Sequence, residues 1–174
     1  MVQDFYATVA QASFTLLGLW WVLLQIRHDA WFADVAYRRA VYDISFYFLL
    51  PGMMAMGSLL AVQEPTIWRA VFAVLGVVGV VESALVVSGV RVLRAHRALV
   101  AFADWASLVM YALVVLVALW STLPRRVGLG LRPLEAEGIL VTALLFIGIT
   151  LAAALFVTTG PQAEPSDERR RRDG

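Results

Sequence analysis

Five apolar stretches, each close to the length of a bilayer crossing, dominate the sequence. They run at about 5–26, 41–62, 70–91, 105–123 and 138–159. A helix of about 20 residues spans the ~30 Å hydrocarbon core of a membrane. Because lipid offers no partners for free backbone N–H and C=O groups, such stretches cross it as helices. The pattern predicts an all-α, polytopic transmembrane helix bundle of five spans over residues 1–159.

The composition supports a membrane protein and limits what else the chain contains. Hydrophobic residues make up 61% of it, charged residues 16%, and the mean hydropathy is +0.78. Soluble domains have about 45–50% apolar and about 25% charged residues. Five spans leave no stretch of the 174 residues long enough for a soluble domain. The last residues, 160–174, combine Pro, Gly and charge with few apolar side chains, which predicts a disordered, arginine-rich tail.

The distribution of arginine predicts the orientation of the bundle. Ten arginines lie in the first and third connections or the tail: Arg27, Arg38, Arg39, Arg91, Arg94, Arg97, Arg169, Arg170, Arg171 and Arg172. The other side has four, which are Arg69, Arg125, Arg126 and Arg132. Arginine and lysine accumulate on the cytoplasmic side of membrane proteins. We therefore expect a multi-pass membrane protein with its N-terminus outside and its C-terminus in the cytoplasm.

Motifs for enzymatic chemistry are missing from the sequence. It has no cysteine, and its two histidines, His28 and His96, have no partner at metal-ligand spacing. No phosphate-binding loop lies between a strand and a helix, and a net charge of +1 gives no basic patch for nucleic acid. The sequence therefore predicts no enzyme, no cofactor, no metal site and no nucleic-acid partner.

A polar stripe descends the first apolar stretch. Its members follow one another at spacings of 4, 3, 4, 3 and 7 residues, and they are Asp4, Thr8, Gln11, Thr15, Gly18 and Gln25. These spacings place all six on one helix face. Since polar groups in a span avoid lipid, the stripe faces either an aqueous pore or another helix. In a ring of subunits it would line a pore with Asp4 at the mouth, whereas within one chain it would pack on the third span beside Glu82.

Glu82 lies near the middle of the third stretch, where inserting a charged carboxylate into the membrane has a high free-energy cost. A carboxylate at the centre of a span costs about 2.5–3.5 kcal/mol on insertion scales. We therefore expect it to face the bundle interior. It is either a cation site or protonatable carboxylate, or a structural acid that locks helix packing.

Four other positions carry predictions about structure. Asp43 and Asp104 lie near the predicted starts of two spans, which favours capping or a salt bridge to a nearby arginine. Pro51 and Gly52 predict a kink in the second span, because proline has no N–H and crowds the preceding turn. Small residues in the third span, which are Gly76, Gly79, Ser83 and Gly89, predict close approach of a neighbouring helix.

The phrase "AQASFTLLGLWWVLLQ" resembles the opening helix of uncharacterised small multi-pass inner-membrane proteins of bacteria. The resemblance covers that one span and implies a bacterial inner-membrane location, with no activity attached. The sequence supports two functional hypotheses. The first is a homo-oligomeric cation or proton-permeable channel lined by the polar stripe, with Glu82 as an ionisable control point. The alternative is a non-conducting membrane scaffold or regulatory subunit bound to a membrane-protein partner.

Overall fold

Over the residues that the structure describes, the fold consists of five long helices and one short helical turn. The structure, a computed structural model, describes residues 2–26, 35–60, 64–89, 98–126, 128 and 130–158. The long helices are α1 (Val2–Ile26), α2 (Val35–Leu60), α3 (Pro65–Gly89), α4 (Ala98–Leu119) and α5 (Pro133–Thr158). A single turn, Leu123–Arg126, lies between α4 and α5. The predicted all-helical architecture of five spans is confirmed over the described residues.

All five long helices are long and apolar enough to cross a membrane. Those apolar lengths are what an integral, multi-pass membrane protein requires. The orientation of the termini and the inner membrane as location stay predictions. The tail, 160–174, lies outside the described residues, as do His28, His96 and the arginines of residues 90–97.

Helix α2 lies at the centre of the bundle. It packs against α1, α3 and α5, while α4 joins α3 to α5. In its apolar window 61% of residues are buried, against 22% for α3. The core residues come from all five helices, and the most enclosed include Leu24, Val41, Met54, Phe72, Val114 and Leu144. Helix α1 packs mainly on α2, with smaller contacts to α5 and, through Tyr6 and Phe72, to α3, so most of its surface is left at the periphery.

Every long helix begins earlier than its hydropathy predicts, and the difference is largest for α2 and α4. Helix α2 starts at Val35 rather than at residue 41, and α4 starts at Ala98 rather than at residue 105. The first turns of α2 contain Arg38, Arg39 and Asp43, which lower the local hydropathy but do not break a helix. Hydropathy therefore locates the lipid-crossing part of each helix and misses its charged first turns.

Helix α1 contacts α2 at two positions along its length, through a hydrogen bond at one and close packing at the other. The indole Nε1–H of Trp20 donates to the Ser45 hydroxyl at 3.2 Å, and this hydroxyl donates to the carbonyl of Val41 at 2.9 Å. Further along, a Cβ on Gly52 would lie 3.0 Å from the Cβ of Ser13 in α1. Glycine at that position allows the two helices to approach closely.

Helix α2 is continuous through Pro51, which is buried inside it. Proline donates no hydrogen bond to the carbonyl of Tyr47, four residues earlier. A kink angle at Pro51 stays a prediction. The structure adds that the adjacent Gly52 allows α1 to pack closely against α2.

The C-terminus of α4 is capped by an arginine from another helix. The Nε–H of Arg69, in the second turn of α3, donates to the carbonyl of Ala118 at 2.9 Å, and its Nη2–H donates to that of Leu119 at 2.9 Å. The last carbonyls of a helix have no partners within it and carry partial negative charge. Arg69 therefore both satisfies these groups and joins α3 to the end of α4.

Replacing Arg69 by methionine is expected to lower the free energy of unfolding by about 1.5–3 kcal/mol, the typical contribution of hydrogen bonds to a charged group. Unfolding in detergent micelles, followed by circular dichroism, measures the loss. Arg126→Met is the matched control, because Arg126 is exposed in the short turn. Equal stability of the two variants would contradict a capping role for Arg69.

Candidate functional site

Every member of the polar stripe lies on the outer surface of the bundle. Asp4, Thr8, Gln11, Thr15, Gly18 and Gln25 are all exposed. The Thr8 hydroxyl donates to the carbonyl of Asp4 at 2.8 Å, which satisfies it within its own helix. A glutamine amide offers two N–H donors and an acceptor oxygen, more than a helix can satisfy by itself. In a bilayer the exposed amide of Gln11 therefore requires water or another protein molecule.

The packing face of α1 is the opposite one. Its buried residues are Tyr6, Val9, Ala10, Ser13, Trp20 and Leu24. At 3.6 residues per turn, their mean direction lies roughly opposite to that of the stripe. The interpretation that the stripe packs on the third span beside Glu82 within one chain is wrong, because α2 and α5 contact the other side of α1. The structure does not bring the stripe and Glu82 together.

The exposed face of α3 shows what an ordinary lipid-facing surface looks like in this protein. Its large exposed side chains are all apolar, and they are Ile67, Val74, Val77, Val78, Val81 and Leu85. Apolar side chains of this kind can face lipid because they have no hydrogen-bonding groups to satisfy. The exposed face of α1 differs from it in carrying two amides and a carboxylate, which lipid cannot satisfy.

A second group of polar side chains lies inside the bundle, where α2, α3 and α4 meet. We call it the polar cluster, and its members are Asp43, Tyr47, Glu82, Ser83, Asp104, Ser107 and Tyr111. The carboxyl groups of Asp43 and Glu82 lie within hydrogen-bond reach of each other, and Asp104 and Arg39 interact electrostatically with Asp43. Asp43 and Glu82 are half-buried, whereas only 5% of Asp104 is exposed.

Hydroxyl groups connect the three helices of the polar cluster. The Tyr47 hydroxyl donates to the Ser107 hydroxyl at 2.6 Å, and Ser107 donates to the carbonyl of Ala103 at 2.6 Å. The Ser83 hydroxyl, from α3, is also within hydrogen-bond reach of Tyr47. Tyr47 is therefore the central hydroxyl of a network that crosses from α3 through α2 to α4.

Two buried polar atoms of the polar cluster lack partners among the described residues. These are Oδ2 of Asp104 and the hydroxyl of Tyr111, a side chain that is 2% exposed. Tyr111 lies close enough to Glu82 and Tyr47 to interact with both electrostatically, and its ring centroid is 6.5 Å from that of Tyr47. A buried polar atom without a hydrogen bond costs about 1–3 kcal/mol, so each of these two atoms would be stabilised by a further partner.

The prediction that Asp43 and Asp104 cap helices is wrong. Asp43 lies more than two turns after the start of α2 at Val35, and Asp104 nearly two turns after the start of α4 at Ala98. A capping side chain must reach the free N–H groups of the first turn. The error followed from starting both spans too late. Arg39, one turn before Asp43, does lie in electrostatic range of it.

The small residues of α3 pack as their sequence predicts. A Cβ on Gly79 would overlap Cδ1 of Tyr111, and one on Gly76 would lie 2.7 Å from Cγ2 of Val115. Ser83 is buried one turn further along the helix. Gly79 therefore makes the space that Tyr111 occupies beside Glu82.

Sequence reasoning missed one buried acid, Glu137. Hydropathy starts the fifth stretch at residue 138 and so assigns Glu137 to a connection. Helix α5 begins at Pro133, however, so Glu137 lies in the second turn of the helix. Its side chain is 0% exposed, and neither carboxyl oxygen has a hydrogen-bond partner among the described residues. The nearby Tyr6 hydroxyl interacts with it electrostatically but donates instead to the carbonyl of Leu134 at 2.7 Å. Proline is common at the first helical position, and Pro133 was the signal that could have revealed it.

No three histidine, aspartate or glutamate side chains in the described part of the chain are grouped to hold a metal ion. Comparisons of the chain with protein-family models, curated proteins and solved structures found no match. Arguments about function therefore depend on the two polar sites, the exposed stripe of α1 and the buried polar cluster.

Proposed function

We propose that the protein is a homo-oligomeric membrane channel that conducts small cations or protons, with the polar stripe of α1 lining its pore. The observation that carries this proposal is the exposure of Gln11 and Thr15 on the face of α1 that points away from the bundle. A symmetric ring of subunits would turn this face toward a common axis, where water satisfies the amides.

Charge along the stripe favours cations over anions. Its only ionisable member is Asp4, at the start of α1, and no basic residue lies on the stripe. A ring of carboxylates at a pore mouth attracts cations and repels anions. Glu82 is half-buried inside the bundle and is not part of the stripe. Its role as an ionisable control point stays a prediction.

The alternative is a non-conducting scaffold, in which the same face of α1 binds the helix of a different membrane protein. Amides and hydroxyls join transmembrane helices by hydrogen bonds of about 0.6–2 kcal/mol each. The exposure of Gln11 supports this interpretation as well as it supports a pore. The two hypotheses differ in whether the purified protein conducts by itself.

Ion flux through liposomes reconstituted with the purified protein tests the proposal. We expect cation flux from the wild type and a several-fold reduction in Gln11→Leu and Thr15→Val, because an apolar ring in a pore repels water. Thr150→Val is the matched control, since Thr150 is an exposed threonine on α5 whose hydroxyl is satisfied by the carbonyl of Phe146 at 2.8 Å. Asp4→Asn should lower the preference for cations over anions.

Cross-linking tests the assembly independently of conduction. Because the chain has no cysteine, Gln11→Cys introduces a single thiol on the stripe and Val78→Cys a single thiol on the apolar face of α3. In membranes, the first should form disulfide-linked dimers of the chain and the second should not. Folded protein that conducts under no ion gradient would favour the scaffold, and absence of Gln11→Cys dimers would reject a ring lined by α1.

A further inference from the structure

We infer that the polar cluster is a proton-binding site within the bundle, in which Asp43 and Glu82 hold one proton between them beside the charge of Asp104. The site is built from α2, α3 and α4 and uses no residue of the polar stripe. It therefore does not depend on the proposed channel, and either conclusion can fail without the other.

The contact between Asp43 and Glu82 requires a proton. An ionised carboxylate has acceptor oxygens only, so two of them cannot hydrogen-bond to each other. These two groups lie within hydrogen-bond reach and, being half-buried, are partly removed from water. One protonated carboxyl donating to one carboxylate satisfies both, as in other closely spaced pairs of acids.

The charge balance around the pair supports the same conclusion. Three acids, Asp43, Glu82 and Asp104, lie in one cluster, and the cation in electrostatic range of Asp43 among the described residues is Arg39. One proton lowers the total charge of the acids from three negative charges to two. Charges at this separation interact strongly in a bundle that holds little water. The uptake of a proton therefore relieves repulsion that a single exposed guanidinium does not offset.

Unpartnered groups surround the pair and point to an exchangeable ligand. Asp104 presents a buried oxygen, Oδ2, that has no donor among the described residues, and Tyr111 presents a buried hydroxyl that likewise has no partner there. Together they offer one acceptor and one donor beside the acids, as a site that gains and loses a proton requires.

Among the described residues, the ionisable groups that face the pair are few. Helix α2 contributes Arg39 and Tyr47, and α4 contributes Asp104 and Tyr111. Helix α5 packs on this region through Gly148, whose Cβ would lie 2.7 Å from the Cβ of Tyr47, and adds no ionisable group there. The described acids are not grouped to hold a metal ion. The ligand whose size and chemistry fit the contact is a proton.

Infrared spectroscopy of the full-length protein in lipid tests this inference. At neutral pH we expect the carbonyl stretch of a protonated carboxylic acid, shifted in D₂O and lost as the pH is raised. The band should disappear in both Asp43→Asn and Glu82→Gln. It should persist in Glu64→Gln, because Glu64 is exposed and precedes α3 at the opposite end from Glu82. Glu137→Gln identifies any separate band from Glu137.

The infrared spectra of the wild type and the variants decide whether Asp43 and Glu82 share a proton. Loss of the same band in both cluster variants, with the band kept in Glu64→Gln, supports a shared proton. A wild-type spectrum that contains no protonated carboxyl at neutral pH beyond the band of Glu137 would overturn it, and this measurement needs no cluster variant to fold. Circular dichroism checks the folding of the variants. A band that persists in Asp43→Asn and Glu82→Gln would also overturn it.

Discussion

Alanine in place of Gly79 is expected to lower the free energy of unfolding by about 2 kcal/mol, within the usual range for overpacked positions. The new Cβ would overlap Cδ1 and Cε1 of the Tyr111 ring. That ring is 2% exposed and packs on Tyr47, so it has no free space to enter. Relief requires α3 and α4 to separate. Unfolding in detergent micelles, followed by circular dichroism, measures the loss.

Gly18→Ala is the control for Gly79→Ala. Gly18 also lies inside a long helix, but a Cβ there meets nothing within 4 Å. Alanine is favoured over glycine in a helix by about 1 kcal/mol, so the control should be neutral or more stable in monomeric, detergent-solubilised protein. A Gly79→Ala protein as stable as wild type would show that α3 and α4 pack less closely than the structure has them.

Leucine in place of Glu137 is expected to raise the free energy of unfolding by about 1–3 kcal/mol, the penalty of burying a polar group without a hydrogen bond. Both carboxyl oxygens are buried and without partners among the described residues, and the side chain is 0% exposed. Leucine has a similar volume and no polar atoms, so it removes the penalty and leaves no large cavity. The variant should unfold at a higher temperature than the wild type.

A second substitution nearby, in the first turn of α5, should act in the opposite direction. Glu135 accepts a hydrogen bond at 2.9 Å from the backbone N–H of Arg132, the residue before α5 begins, so its carboxylate caps the helix. Glu135→Leu removes this cap and should cost about 0.5–2 kcal/mol. If Glu137→Leu lowered stability as Glu135→Leu does, the carboxyl of Glu137 would have a stabilising partner, and its burial would not be a penalty.

The two polar sites lie on different parts of the bundle and need not act together. The stripe is on the outer face of α1, whereas the polar cluster is enclosed by α2, α3 and α4.

Hydropathy and helical periodicity allowed the fold and the stripe to be predicted. The five apolar stretches became five long helices, and the close approach at Gly79 followed from a small residue in a span. The polar cluster could not be predicted in this way. Asp43, Glu82 and Asp104 are separated by 39 and 22 positions in the chain. The residues around Asp43 and Asp104 predicted helix caps or salt bridges, whereas those around Glu82 predicted an acid inside the bundle.

The sequence by itself determined that this chain makes apolar helices and that one face of α1 is polar, because both properties repeat along a single helix. Only the tertiary structure decided where those faces point. Packing of α1 against α2 left Gln11 and Thr15 outside the bundle, and the meeting of α2, α3 and α4 placed three acids together. The physical reason is that helix periodicity is local, whereas the choice of which face is buried depends on complementary surfaces such as Gly52 against Ser13 and Gly79 against Tyr111.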